Sequence, residues 1–171
     1  MDTAGDHSLA IAFLNAKGEF EDPVAAARWW AAGERAQGTL LLDPHGPKPR
    51  FNAELSAELR ALQAAALEAF APGYSSESAP ALSAGLARGS LRLRGTPPAL
   101  VFCASDAAGA VLFPVAHAVA SLLAANDERL RRCANDACAA YFWDGTKNRS
   151  RRWCGLRCME RVRAPRRRLQ R

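Results

Sequence analysis

The sequence predicts an α+β protein, mainly α: a helical N-terminal domain carrying one small β-hairpin, followed by a treble-clef-like zinc finger. Three observations lead there. Apolar residues recur at helical spacing through most of the chain, four of five cysteines crowd into the 26 residues from Cys133 to Cys158, and the charge changes sign between the two parts.

The 171 residues are 49% hydrophobic and 23% charged, an ordinary globular mix. No apolar run approaches the ~18 residues a membrane span needs. The segment Met1–Glu19 lacks the basic start and cleavage site of an export signal. A cytoplasmic protein without membrane contact is expected. From Arg129 to Arg171 there are 14 Lys and Arg against three acids, a net +11; the preceding 128 residues hold nine against 14, a net −5. An acidic body with a basic end points to a polyanionic partner. The boundary is drawn between residues 1–127 and 128–171.

Ser8–Asn15 is too short and too uniformly apolar to decide between a short helix and a buried strand. Asp22-Pro23 opens a helix through Arg35, with Asp as N-cap and Pro at the first helical position. Residues 43–50 hold three prolines and a glycine and read as a loop. Leu55, Leu59, Leu62, Ala66 and Phe70 form one stripe of a helix over 52–70. It is expected to stop at Pro72-Gly73, before a connector over 72–80 and a short helix over 80–88. Strands over 90–94 and 100–104 flank Gly95-Thr96-Pro97-Pro98 as a hairpin. A second strong helix is expected from Phe113 to Ala125, with Pro114 in its first turn.

The cysteines follow the pattern Cys-x4-Cys, 15 residues, Cys-x3-Cys. Without an export signal, and with an odd count, a disulfide framework is not expected. Cys133, Cys138, Cys154 and Cys158 instead suit one tetrahedral, structural zinc. Free cysteines and a redox or iron–sulfur site are the alternatives. Cys133 and Cys138 fit a knuckle, 140–143 and 149–153 a hairpin, and Cys154 and Cys158, four apart, one face of a helix that ends at Pro165. Tyr141, Phe142 and Trp153 are expected around the metal. The candidate nucleic-acid contacts are Lys147, Arg149, Arg151, Arg152, Arg157, Arg161 and Arg163, with Arg151, Arg152 and Arg157 foremost. Arginine suits bidentate phosphate and guanine contacts. Arg166–Arg171 is expected to be a flexible basic arm.

Arg131-Arg-Cys-Ala-Asn-Asp-Ala-Cys138, Phe142-Trp-Asp144 and Asn148-Arg-Ser-Arg-Arg-Trp-Cys154 resemble the CGNR-type zinc finger of bacterial proteins. Those proteins carry an N-terminal ABATE-type domain, whose opening Leu-rich segment Leu9–Asn15 resembles. The family is regarded as stress-responsive transcription regulators, with the finger as the DNA-binding part. The motif that names it stands here as Cys158-Met159-Glu160-Arg161. The ligand and the arginine carry over; the glycine and asparagine do not.

The resemblance implies a non-enzymatic regulator that binds duplex DNA, with the N-terminal domain sensing a small-molecule effector, binding a partner or forming a homodimer. RNA or ribosome binding by the same surface is the second reading. The third is a small-molecule-binding or enzymatic N-terminal domain, for which Asn15, Trp29, Trp30 and His117 are the residues to watch. No paired acid–base constellation or phosphate loop supports catalysis.

Overall fold

The computed structural model describes residues 4–37, 42–71 and 80–168. The stop at Pro72-Gly73, the connector to residue 79 and the last residues of the arm, 169–171, lie outside them. The chain divides into two compact units, Met1–Ala125 and Asn126–Arg171.

The first unit contains α1 (Ala4–Asn15), α2 (Pro23–Gln37), α3 (Ala53–Ala69), α4 (Pro80–Leu86), the antiparallel pair β1 (Gly89–Arg94) and β2 (Ala99–Ala104), and α5 (Gly109–Ala125). The segment with no periodicity is thus helical. Leu9, Ala10, Phe13 and Leu14 are all buried, because α1 packs on α5 and also meets α2 and α3. A helix covered on several sides has no polar face to reveal its period. Its end is tied to α3: Gln63 Nε2 donates to Phe13 O in the last turn and to Ala16 O just past it, both at 2.7 Å.

α2 starts where the cap signal places it. Asp22 Oδ1 accepts from Val24 N at 2.8 Å and Ala25 N at 2.9 Å. Asn52 does the same for α3, accepting from Leu55 N at 2.8 Å. The α3 stripe Leu55, Leu59, Leu62 and Ala66 is buried. α4 lies close to α5 because residue 85 is glycine; a Cβ there would stand 2.8 Å from Ala116 Cβ.

α5 begins four residues before the expected Phe113, so Pro114 stands inside the helix rather than in its first turn. The cap is Asp106, whose Oδ1 accepts from Gly109 N at 2.6 Å and whose carbonyl accepts from Ala110 N. That extra turn buries Ala110, Val111 and Leu112. The area gained offsets the single bond that Pro114 cannot donate.

The second unit contains β3 (Leu130–Arg132), β4 (Tyr141–Trp143) and α6 (Leu156–Arg168). Its hairpin differs from the expected one. β4 pairs antiparallel with β3, across the first cysteine pair, and not with residues 149–153. Those residues are drawn into a loop around Asp144, and Arg149 has a positive φ of 49°, which a strand does not allow. α6 also runs past Pro165, the expected stop, to Arg168. Proline at that position forfeits one helical bond without reversing the chain.

Candidate metal centre

The knuckle between β3 and β4 is built by backbone. Asn135 O accepts from Cys138 N at 2.8 Å and from Ala139 N at 3.1 Å, and Cys133 N donates to Ala140 O at 2.8 Å. These bonds turn the chain so that both sulfurs face inward. Cys154 arrives from the loop, its N–H 3.4 Å from Cys133 Sγ, and Cys158 comes from the first turn of α6.

The four ligand sulfurs lie within 4.8 Å of one another. Cys154 Sγ is 3.7 Å from Cys138 Sγ and 3.6 Å from Cys158 Sγ. A tetrahedral zinc with Zn–S bonds of ~2.3 Å requires sulfur separations of ~3.8 Å. Those two separations match the zinc tetrahedron, the full set lies within about an ångström of it, and none of the four is disulfide-bonded. Burial first, then the neighbouring Cys158, Cys138 and Cys133, push the Cys154 thiol up to about 12. Donation from the Ala140 backbone holds the Cys138 thiol below its ordinary value. Four sulfurs this close ionise together only with a cation among them. One zinc on Cys133, Cys138, Cys154 and Cys158 fills all four positions, so its role is structural.

Around the sulfurs, Phe142 is buried against Cys133 and Cys158, with Trp153 packed beside them. Cys103 is not part of the group; it lies in β2 with its Sγ 3.6 Å from Asp43 Oδ2.

Asp144 organises the loop that delivers Cys154. It is fully buried and follows β4 directly. Oδ1 accepts from Thr146 N at 2.9 Å and Thr146 Oγ1 at 2.6 Å; Oδ2 accepts from Arg151 N at 2.8 Å and lies 3.5 Å from Arg131 Nη1. Burial raises its pKa, but the bonds from Thr146, Arg151 and Arg131 outweigh that and hold it at about 2. The spacing Asp-Gly-Thr was its available signal, since Asp and Thr two apart favour such a turn.

The basic side chains divide into two groups. Arg129 donates to Asp144 O and Thr146 O, Arg131 to Arg149 O, and Arg149 to Glu128. Arg151 stacks on Phe142 and donates to Trp153 O and Cys154 O. Its guanidinium is thus spent inside the finger. Arg132, Lys147, Arg152, Arg157, Arg161 and Arg163 are exposed, and among the described residues they form no ion pair or hydrogen bond.

Ala139 holds φ at 52°, left-handed backbone that glycine adopts without penalty. Relieving it is worth about 1 kcal/mol. Ala139→Gly is expected to raise zinc affinity a few-fold in a competition titration against a chelator.

Three of the residues to watch in the first unit, Trp29, Trp30 and His117, pack against other side chains. Trp29 lies 5.7 Å from Phe13 and 5.0 Å from Phe20 between ring centroids, Trp30 is buried, and His117 sits edge-on to Phe102 at 5.3 Å. Two clefts of about 220 and 210 Å³ in this unit are lined by other residues, among them Glu58 and Arg88 in both. Among the described residues, no helix is long and apolar enough to cross a membrane.

No curated protein matches the chain. Residues 129–171 match the family described as CGNR zinc finger, which spans the β3–β4 pair, the four cysteines and α6. The C-terminal part of this protein is a CGNR-type zinc finger with a four-cysteine site for one structural zinc.

Proposed function

We propose that this chain is a cytoplasmic DNA-binding transcription regulator in which the zinc finger meets duplex DNA. The N-terminal unit, by its ABATE-type resemblance, senses an effector, binds a partner or dimerises. The observation that carries the reading is the set of six exposed cations without an ion pair among the described residues, Arg132, Lys147, Arg152, Arg157, Arg161 and Arg163, on one metal-fixed unit. Counterion release from duplex phosphates supplies the main driving term for such a surface. The order strand, knuckle, strand, helix also supports a treble-clef-like finger, which would hold α6 rigid. Arg157 and Arg161, exposed on α6, are the side chains for base edges, beside the exposed Leu156. Arg151 acts by holding the loop in place.

Selection of the full chain on random duplexes, with zinc and with chelator, tests this. Enrichment only with zinc is the expected result. Enrichment of structured RNA over duplex in a parallel pool would replace DNA with RNA as the partner.

A further inference from the structure

We infer that Arg152 and Arg163, stacked on the single ring of Trp153, form a phosphate clamp that grips the backbone of duplex DNA independently of sequence. This rests on the nucleic-acid reading above and adds the residues that perform the gripping. Arg152 Cζ stands 5.5 Å and Arg163 Cζ 5.4 Å from the Trp153 ring centroid. One comes from the loop before the second cysteine pair, the other from α6. Segments apart in sequence thus converge on one indole.

Three features make this an anion site. Both guanidinium side chains are exposed, and among the described residues neither has a carboxylate partner. The two distances to the shared ring keep their centres within about 11 Å of each other, so one stretch of phosphate backbone, with a charge every ~3.4 Å of helix axis per strand, can pass both. The ring itself is fixed: Trp153 packs against the sulfur cluster, and its Nε1 is buried without a hydrogen-bond partner among the described residues. Packing and the stacked cations, rather than a hydrogen bond, define its position. Stacking limits the freedom each arginine must lose on binding, while its N–H edge stays open for a phosphodiester oxygen. Arg157 and Arg161 have no such ring in the described structure, which leaves Arg152 and Arg163 as the positioning contact and Arg157 and Arg161 as the readers.

The test uses the full, zinc-loaded chain and fluorescence anisotropy on two unrelated duplexes over a range of salt, with zinc content measured for each variant. Arg152→Ala and Arg163→Ala are each expected to lower the magnitude of the log–log salt slope by about 0.9, equally on both duplexes. The double Lys variant is expected to keep the slope and lose roughly fivefold in affinity, because charge remains and the planar stack does not. A parent protein with a steep slope and an Arg152→Ala/Arg163→Ala double variant with the same slope would overturn the clamp alone. A parent without salt-dependent binding to either duplex would overturn the nucleic-acid reading and the clamp with it.

Discussion

Removing the zinc is expected to unfold residues 126–171 and abolish nucleic-acid binding, while the N-terminal unit keeps its helices. The apolar centre of the finger is little more than Phe142 and the sulfurs, with Trp153 at its edge. So small a core cannot hold a chain of this length without a staple. Structural zinc supplies on the order of 10–16 kcal/mol to domains of this size. The first unit has its own core, from Phe13 and Leu59 to Val115 and Leu122. Chelator titration followed by far-UV circular dichroism should therefore remove only the contribution of α6, and Cys158→Ser should reproduce it. Cooperative loss of all helical signal would show that the two units share one folding transition.

Asp144→Ala is expected to be the most damaging substitution outside the ligands. It would strand the Thr146 and Arg151 N–H groups and leave Arg131 beside an uncharged site. The loop that delivers Cys154 would then lose its anchor. Zinc affinity should fall about tenfold or more, since several hydrogen bonds, each worth about 1 kcal/mol, are lost together. Asp144→Asn retains one acceptor and should fall in between. The sign of the pH effect follows from the depressed pKa of about 2. The stabilisation is complete above the ordinary carboxylate pKa and is lost as pH falls through the folded value. Competition titrations at neutral pH measure the substitutions apart from acid effects on the thiols. An Asp144→Ala protein with parental zinc affinity would remove the carboxylate from the account.

What the sequence made legible was local. The cysteine spacing marked the donor set, Asp22-Pro23 marked the start of α2, and the leucine stripe marked α3. The failures came where tertiary context overrode a local signal. α1 showed no period because it is covered on several sides. The start of α5 was set by Asp106, whose cap is followed by Ala-Ala-Gly rather than by an apolar stripe. The partner of β4 was misplaced because pairing across the knuckle depends on the turn the cysteines impose. Arginine count could not separate guanidinia bonded inside the finger, such as Arg151, from exposed ones such as Arg157. Only the position of the Asp144 loop divides them.

The central claim is that a zinc-fixed cationic surface binds duplex phosphates. Its most direct test is the salt dependence of binding by the zinc-loaded full chain. Neutralising about five to eight phosphates predicts a log–log slope of roughly −4.5 to −7. A slope near zero, with zinc fully bound, would contradict it.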